Sequence, residues 1–486
     1  MEIDLKFHPE RFERKTCMIQ QQQITYRAYM DIPYCKYPKD PIQTMNIFVP
    51  KQNRLYDDHT APILFVNQVG GYLPGPAAIP QLDHRGYGNI VFHALHHGYV
   101  VVSPGVRGRT SGKISDEFFE GSSTQKLTTI NGRMVGRAPA CIVDLKAAIR
   151  YLRYNKAMIP GDVEHIITTG ISAGGALSAL LGTSGNQQDY IPYLEEIGAA
   201  DERDDVFASN CYCPIHNLEH ADSAYEWMFS DLHDFHRTKH VKTDHGIVRV
   251  PFTGCMSEKQ IMISKQLKDR FPYYINQLNL KDLDGNILSL KEDGTGSFLT
   301  YLKSYLIRSA QKELHHHACI NQYPWLAVKD SEIEKQHYIK SQQGIILDID
   351  WDAYIKKISR MKAAPAFDAL DLSSPENEEF GDEKIDKKHF TMFSYTNSEN
   401  NGILADEKII KMMNPLSYIN ASGCTQHWRI RHGAFDRDTS IAIPVILGTL
   451  LRNNGYEVDL QLPWGLPHCG DYDLDEFFQW IDDIIK

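Results

Sequence analysis

Apolar positions along the chain fall into two patterns, short continuous runs and longer stretches in which they return every three or four residues. The short runs, rich in β-branched residues, are typical of buried strands. They span residues 45–49, 63–66, 99–104, 164–169 and 207–213. Helical spacing is clearest over 140–155, where Lys146, Arg150 and Arg153 occupy the face opposite the apolar residues. Strands alternating with helices predict an α/β fold with a doubly wound, mostly parallel sheet.

The alternation stops after about residue 214 and returns from residue 428 as strand, helix, strand and closing helix. The span between is rich in His, Lys, Asp and Glu and broken by turns, yet it carries many Leu, Ile and Trp residues. We interpret it as an inserted, mainly helical domain and not as a linker. The predicted organisation is a first core part at 1–212, a large inserted lid or substrate-binding domain at 213–413 and a second core part at 414–486.

Composition narrows the class of protein. The 486 residues carry a net charge of −11, with 42% hydrophobic and 23% charged residues, which is ordinary for a globular protein. We expect no nucleic-acid partner, because no segment supplies the basic excess that a phosphate-binding surface needs. No run of eighteen apolar residues would span a membrane. An acidic start without an apolar signal core, together with nine cysteines, predicts reduced thiols and a cytoplasmic location.

Two clusters raise the question of a metal site. Cys211 and Cys213 would share one face of a strand, but no second Cys/His pair at ligand spacing accompanies them. The three successive histidines at 315–317 cannot converge on one ion from a helix. We therefore expect buried structural thiols, a solvated histidine cluster, and neither metal nor cofactor.

Ser172 stands at the tip of a predicted strand–turn–helix unit, within Gly-Ile-Ser-Ala-Gly at 170–174. Glycines before and after the serine let strand and helix approach closely while the serine adopts a strained backbone conformation. Its Oγ would then lie at the C-terminal edge of the sheet, beside the Ala173 N–H and the N-terminus of the helix. The pattern predicts a serine nucleophile.

A serine hydroxyl needs a base to take its proton, and the base needs a carboxylate to orient it. In α/β hydrolases these residues follow the serine in the order acid, then histidine. His468 lies in a turn-rich loop before the last helix, where the base is expected. Asp436 and Asp438 both follow the strand at 428–432, and their spacing does not decide which one is the acid. We interpret Asp473 as an N-terminal charge of the last helix.

An oxyanion hole needs a second N–H from the loop after an early strand. Gly70 and Gly71, in the Gly/Pro-rich loop at 70–76, fit that position, with Ala173 supplying the other N–H. Arg107 and Arg109, after the next strand, are predicted to be structural.

With these residues identified, the chain resembles the bacterial tannases, the cytoplasmic "subtype B" tannin acyl hydrolases, over almost its whole length. The resemblance is carried by residues 69–76, 172–176, 212–222, 361–368, 374–377 and 428–440. It implies an α/β-hydrolase fold and hydrolysis of galloyl ester and depside bonds in tannins and alkyl gallates through a galloyl-enzyme. The implied partner is a small-molecule galloyl ester; the oligomeric state stays open.

The resemblance also implies a role for each matching position, and by analogy it assigns Asp436 to the triad. The implied nucleophile, acid and base are Ser172, Asp436 and His468. The implied ligands of the three gallate hydroxyls are Lys362, Glu376 and Asp438. Ile215 and Pro375 would flank the ring, and the oxyanion N–H groups would come from Gly71 or its neighbour and from Ala173.

Gallate offers three adjacent hydroxyls, which two carboxylates and one lysine can satisfy together. A ring without hydroxyls would leave these groups unpaired in a desolvated slot, at a cost of about 1–3 kcal/mol each. Without the resemblance, Lys362 and Glu376 would be interpreted as a surface ion pair.

Secreted fungal tannases and feruloyl esterases differ in one pattern, a disulfide that joins the residue before the serine to the residue after the histidine. Here Ile171 precedes Ser172, so Cys469 after His468 cannot form that bridge. A feruloyl or chlorogenate esterase on the same fold is the alternative function, which a comparison of methyl gallate with methyl ferulate would separate. A catalytically dead binding homologue is disfavoured, because serine, acid and histidine occur in the expected order.

Overall fold

The computed structural model describes residues 3–51, 56–83, 86–112, 132–243, 246–316, 333 and 336–486. The strands are β1 Glu13–Ile19, β2 Gln22–Pro33, β3 Thr44–Pro50, β4 Pro62–Val66, β5 Val100–Pro104, β6 Asp162–Ile171, β7 Ala208–Tyr212, β8 Asp234–Thr243, β9 Gly246–Cys255, β10 Ile339–Gln342, β11 Ile345–Ile349, β12 His427–Arg431 and β13 Glu457–Gln461. The α-helices are α1 Ile90–His97, α2 Ala140–Tyr154, α3 Ala173–Thr183, α4 Ile191–Glu196, α5 Leu218–Phe229, α6 Glu258–Lys268, α7 Arg270–Leu278, α8 Ser297–His316, α9 Trp351–Ile358, α10 Pro375–Glu379, α11 Met392–Thr396, α12 Glu407–Met412, α13 Ala442–Asn453 and α14 Leu474–Ile484.

Within the described residues, one nine-stranded sheet has the order β1-β2-β3-β5-β4-β6-β7-β12-β13. From β5 to β13 all neighbouring strands are parallel, and the β1–β2–β3 meander adds to the β5 edge in antiparallel fashion. The prediction of a mostly parallel α/β sheet is confirmed. The strands β1 and β2 were not predicted, because most side chains of β1 are exposed or half-buried and no continuous apolar run marks it.

The sheet is covered on both faces, which follows from the alternation of side chains along each strand. In β4, Ile63 and Phe65 belong to the large core on the side of α2 and α3, whereas Leu64 and Val66 belong to the second core with α1 and α14. Both sets are buried, so a strand in the middle of the sheet has no polar face. This explains why such strands appear in the sequence as unbroken apolar runs.

The chain between β7 and β12 forms the elements α5 to α12 and two separate two-stranded sheets, β8–β9 and β10–β11. The two hairpins were not predicted. Charged and polar residues interrupt the apolar positions of β8, so its sequence lacks the pattern of a buried strand. Among the residues described, no helix combines the length and hydropathy that crossing a bilayer requires.

Candidate active site

Ser172 occupies the sharp turn between β6 and α3, with φ 62° and ψ −122°. A non-glycine residue in this region is strained by about 1–3 kcal/mol, so surrounding contacts must hold it. Its N–H donates to the carbonyl of Tyr212 at 3.0 Å, and its own carbonyl accepts from the N–H groups of Ala176 and Ile215 at 2.9 and 3.3 Å. The turn is therefore fixed from α3 and from the end of β7. Ser172 is half-buried and lies at the C-terminal edge of the sheet, directly after β6.

Close approach of backbone explains the glycines around the serine. A Cβ at Gly170 would lie 2.4 Å from the Gly174 carbonyl oxygen and 2.5 Å from Asn67 Nδ2. Asn67 itself donates from Nδ2 to the carbonyls of Thr169 and Gly174 and to Ser178 Oγ, at 3.1–3.2 Å. A buried amide thus joins strand to helix directly beneath Ser172, in the space that the missing glycine side chains leave.

His468 lies in the loop between β13 and α14, and its Nδ1 is 2.6 Å from Asp436 Oδ2. The Asp436 side chain is fully buried, while that of His468 is 22% exposed, so the imidazole has one ring edge toward the open side. The other Asp436 oxygen, Oδ1, accepts the N–H of Asp438 at 2.8 Å. Two residues beyond the histidine, Gly470 packs so closely on Ile171 that a Cβ would lie 2.5 Å from Ile171 Cγ1. The histidine loop therefore rests on the residue that precedes Ser172.

Charge around the imidazole sets its protonation. Burial by itself would lower the pKa of His468, but Asp436, Cys213 and Asp438 outweigh it, and the pKa is raised well above its usual range. Burial likewise works against the ionised form of Asp436, yet His468 and His432 hold its pKa below the usual value. The pair is an imidazole oriented by an ionised, buried carboxylate, which favours the protonated ring.

Asp438 points differently from Asp436, as two carboxylates two residues apart in a loop can. Its Oδ1 lies 2.6 Å from Lys362 Nζ, and its Oδ2 lies 3.9 Å from His468 Nε2. Burial opposes ionisation of Asp438, but Lys362 and His468 outweigh it and lower its pKa to about 2. Asp438 therefore lies between His468 and a lysine that comes from the inserted segment.

Lys362 and Glu376 are brought into the same electrostatic environment. Burial alone would lower the pKa of Lys362, but Asp438 and Glu376 raise it above the usual value. Burial raises the pKa of Glu376, against the opposing effect of Lys362. The ammonium also lies 4.2 Å from the centroid of the Phe367 ring. A cation that interacts with two carboxylates forms a group that can donate to and accept from neighbouring hydroxyls.

Helix α5 holds the Lys362 backbone. The Tyr225 hydroxyl accepts the N–H groups of Met361 and Lys362, both at 3.1 Å. The Lys362 carbonyl accepts from Arg360 Nε at 2.5 Å, and Arg360 in turn forms a fully buried ion pair with Glu226. The lysine is thus carried by a rigid, buried frame although its loop has no regular secondary structure.

Glu376 lies in the first turn of α10, whose N-cap Ser374 accepts the N–H of Asn377 at 3.1 Å. Pro375 is exposed at the start of this helix, whereas Ile215 is buried beside the Ser172 backbone. The two residues predicted to flank the substrate ring thus come from different segments, one after β7 and one at α10.

The loop after β4 contains Gly70 and Gly71, and a Cβ on either would meet nothing within 4 Å. Gly71 has φ +53°, its carbonyl accepts from Arg109 Nε at 2.9 Å, and the N–H of Leu73 donates to the Gly70 carbonyl at 3.0 Å. Ala173 is the first residue of α3. The predicted oxyanion-hole residues therefore lie at the start of a helix and in a glycine turn bordered by open space.

The two arginines after β5 have structural partners. Arg107 forms a buried ion pair with Asp144 at 2.7 Å, and Arg109 pairs with Glu378 of α10. Asp473 stands at the N-cap position of α14, but its carboxylate makes no capping hydrogen bond. It pairs with Arg429 and Arg431 of β12 instead, so it anchors the helix to the sheet.

Three residues near the site were not found from the sequence. Cys213 Sγ lies 3.9 Å from His468 Nε2. The Cys213 sulfur, a carboxylate oxygen of Asp436 and a ring nitrogen of His468 all lie within 4.8 Å of one another. His432 Nε2 lies 3.6 Å from Asp436 Oδ2. Tyr225 supports the Lys362 loop, as described above. The only signal in the sequence is position: Cys213 and His432 lie at the ends of predicted strands, and Tyr225 lies on α5. The histidine cluster predicted at 315–317 falls on side chains outside the described residues.

Comparison with known proteins first gives the class. The family described as BD-FAE matches residues 123–217. Esterase LipQ of Mycobacterium tuberculosis is 37% identical over 97 residues, which are 20% of this chain and 22% of that protein. Together with the fold and the position of Ser172, these matches define a carboxylic ester hydrolase of the α/β-hydrolase class.

Solved structures narrow the class further. Over 99% of this chain, the tannase of Fusobacterium nucleatum is 44% identical with a TM-score of 0.89, and all of that chain is covered. The tannin acyl hydrolase of Lactobacillus plantarum is 43% identical with a TM-score of 0.87, over 99% of each chain. A tannin acyl hydrolase in complex with ethyl gallate is equally similar, at 43% identity and a TM-score of 0.87 over 99% of each chain. The chain belongs to the bacterial tannase family.

Proposed function

We propose that this chain hydrolyses galloyl esters, with Ser172 as nucleophile, His468 as base and Asp436 as the acid that orients it. The observation that carries the proposal is the position of Asp438, 2.6 Å from Lys362 Nζ on one side and 3.9 Å from His468 Nε2 on the other. A group of side chains suited to phenolic hydroxyls thus begins one side chain away from the base. Solved relatives that hold ethyl gallate and 3,4-dihydroxybenzoate support this choice of ligand.

In the first half of the reaction, Ser172 Oγ attacks the ester carbonyl while its proton passes to His468 Nε2. The oxyanion is stabilised by the N–H of Ala173 and an N–H of the Gly70–Gly71 turn. Collapse of the tetrahedral intermediate expels the alcohol, which receives the proton from His468. A galloyl-enzyme remains on Ser172.

In the second half, water replaces the alcohol. His468 takes a proton from the water as it attacks the acyl carbonyl, and the collapse of the second intermediate returns the proton to Ser172 and releases gallate. The ionised Asp436 stabilises the imidazolium that forms in each half. Every step is a proton transfer or an acyl transfer among these groups, substrate and water.

The three hydroxyls would be bound by Lys362, Glu376 and Asp438. Burial raises the pKa of Glu376 against the opposing effect of Lys362, whereas at Asp438 Lys362 and His468 together outweigh burial and lower the pKa, so the two carboxyls differ in how readily they hold a proton. A substrate lacking the hydroxyls leaves these groups desolvated without partners, at about 1–3 kcal/mol for each group. Selectivity for trihydroxyphenyl esters follows from that penalty.

Relative kcat/KM values for methyl gallate, methyl ferulate and methyl benzoate test the proposal. We expect methyl gallate to be cleaved at least about 100-fold faster than methyl benzoate, from the loss of two or more satisfied groups. Faster cleavage of ferulate would replace the galloyl assignment by a feruloyl or chlorogenate esterase. A protein that a sulfonyl fluoride does not label at Ser172, and that cleaves none of the three esters, would be a binding homologue.

Replacing Ser172 with Ala separates chemistry from binding. Because the hydroxyl ligands lie on other segments, the variant should lose turnover and keep the wild-type Kd for gallate, measured by calorimetry. A Kd raised in parallel with the loss of activity would contradict separate roles for the serine and the ring-binding group.

A further inference from the structure

A buried guanidinium connects the glycine turn to the helix that carries Glu376. The Arg109 side chain is 4% exposed, and it comes from the loop after β5. Its Nε donates to the Gly71 carbonyl at 2.9 Å, and its Nη1 pairs with the Glu378 carboxylate. The backbone N–H of Arg109 also donates to the Tyr72 carbonyl, at 2.7 Å. One residue therefore contacts both sides of the candidate site.

The turn that Arg109 contacts needs external support. Gly71 and Tyr72 are consecutive residues with φ +53° and +55°. The N–H of Leu73 donates to the Gly70 carbonyl and so fixes the peptide plane that carries the Gly71 N–H. The next plane is fixed by Arg109 through the Gly71 carbonyl. The Gly70 hydrogen bond therefore orients the Gly71 N–H. By holding the plane that follows, Arg109 limits rotation about Gly71, which has no Cβ and borders open space.

The other end of the contact is equally buried. The Glu378 side chain is 4% exposed and lies two residues after Glu376 on α10. Arg137 donates to the Glu378 carbonyl at 2.8 Å and also to the Arg109 carbonyl, which closes the network. The guanidinium fork is planar and rigid, so its Nε and Nη1 contacts cannot be adjusted independently.

We propose that Arg109 is a positioning residue that couples ring recognition to carbonyl activation, by fixing the Gly71 turn and the Glu376 helix through one guanidinium. The coupling to the galloyl ring rests on the proposed function, whereas the effect on the Gly71 turn requires esterase activity alone. Movement of α10 when hydroxyls bind would thus be transmitted to the N–H groups that meet the developing oxyanion. Displacing such a donor costs up to about 10²–10³ in kcat.

Two variants test whether Arg109 links the Gly71 turn to helix α10. Arg109→Lys keeps the positive charge but loses the planar guanidinium that contacts both sides. Glu378→Gln keeps the contact of Arg109 with Gly71 but removes the carboxylate that holds the guanidinium on α10. The substrate is 4-nitrophenyl acetate, which has no ring on its acyl side and does not use Lys362 or Glu376. We expect each variant to lower kcat/KM on this ester by about tenfold or more. A double variant that carries both substitutions should lose little more kcat/KM than either single variant, because both substitutions break the same contact between Arg109 and Glu378.

Active sites are counted by stoichiometric labelling with a sulfonyl fluoride, so misfolded molecules do not lower the measured value per site. The matched control is Glu383→Gln, which removes an exposed ion pair with Arg133 in the same region and should leave the rate unchanged. Rates of both variants within twofold of wild type, or losses that multiply in the double variant, would overturn the coupling.

The outcome for the proposed function is read separately. A wild-type enzyme that shows no preference for methyl gallate over methyl benzoate overturns the galloyl assignment, whatever the variants do on 4-nitrophenyl acetate. If that preference is present, Glu378→Gln should in addition weaken gallate binding, as a raised Ki; an unchanged Ki would overturn the coupling to ring recognition.

Discussion

At the scale of single residues, the candidate site depends on side chains with two partners each. Asp436 binds His468 through one oxygen and its own loop through the other, and Asp438 does the same for lysine and histidine. Each carboxylate therefore has a fixed direction, which explains why neighbours two positions apart can hold different roles. The sequence placed both carboxylates in the loop after the strand at 428–432, but their spacing could not distinguish them without the family resemblance.

Lys362→Met should damage galloyl esters far more than an ester without ring hydroxyls. The substitution removes the donor and leaves Asp438 and Glu376 together without their cation, which costs about 1–3 kcal/mol or more in binding a trihydroxyphenyl ring. We expect about a 100-fold loss of kcat/KM on methyl gallate and less than a fivefold loss on 4-nitrophenyl acetate. Equal losses on both esters would make Lys362 a structural residue.

The pH dependence of activity should report the charge beside the base. The pKa of His468 is raised because Asp436, Cys213 and Asp438 together outweigh the effect of burial, so protonated, inactive enzyme persists above the usual histidine range. Asp438→Asn removes one stabilising charge, and His468 should then lose its proton at lower pH. On 4-nitrophenyl acetate, the acid limb of kcat/KM should shift to lower pH. A limb that stays in place or moves to higher pH would contradict the contact.

At the scale of elements, small residues let α3 lie close against the sheet. A Cβ at Gly182 would lie 2.4 Å from Trp428 Cη2 and 2.9 Å from Ser209 Cβ. Both neighbours belong to strands in the middle of the sheet and are completely buried. Helix α3, which follows Ser172, can pack closely on the sheet because the glycine on its inner face needs no room for a side chain. This close packing leaves Ser172 at the edge of the sheet.

Gly182→Ala should therefore destabilise the fold, by about 1–3 kcal/mol for an overpacked core. Gly448→Ala in α13 is the matched control, because its added Cβ would meet only the flexible side chain of Leu460, at 2.9 Å. The helix-propensity gain of about 1 kcal/mol can offset that contact. Urea unfolding followed by circular dichroism distinguishes the two; equal stability of both variants would contradict the packing argument.

Elements also differ in how well the sequence predicts them. The strands β4, β5, β6 and β7 are buried on both faces, so their apolar runs were enough to find them. The strands β1 and β2 carry mostly polar residues on their exposed sides. The inserted hairpins mix polar residues with exposed apolar ones such as Ile345 and Leu347, so no clean alternation marks them as strands.

At the scale of the whole molecule, buried polar residues connect segments that are far apart in sequence. Asn67, Arg109, Arg360 and Asp473 each satisfy partners from another segment, and none belongs to a periodic pattern. This is the part of the site that the sequence could not predict. The proposed serine, acid loop and histidine could be chosen from the sequence because each follows a strand, and those strands end at the same edge of the sheet.

Asp473 provides a test of such a connection. Burial would raise its pKa, but Arg429 and Arg431 outweigh burial and hold the pKa below the usual value. A group with a lowered folded pKa stabilises the fold above its unfolded pKa of about 3.9, and that stability is lost as the pH falls through the folded value.

Asp473→Ala should cost about 3 kcal/mol at pH 7, because it leaves a buried guanidinium without its carboxylate. The difference from wild type should shrink as the pH falls below about 4, where the unfolded chain takes up the proton, and be lost below the lowered folded pKa, where the folded wild-type carboxylate is protonated. Urea titrations at both pH values measure it, with the exposed Asp483→Ala as a control that should match wild type. A difference that grew toward acid pH would contradict the sign of the effect.

The strand order has a consequence for synthesis of the protein. β7 is flanked by β6 and β12, but β12 follows the entire inserted segment. While the ribosome is still producing that segment, β7 has an open backbone edge that can pair with other nascent chains. During the same interval Ser172 is already made, but the histidine proposed to activate it has yet to be translated. The growing chain is therefore both chemically inert and prone to aggregate until its last strands emerge.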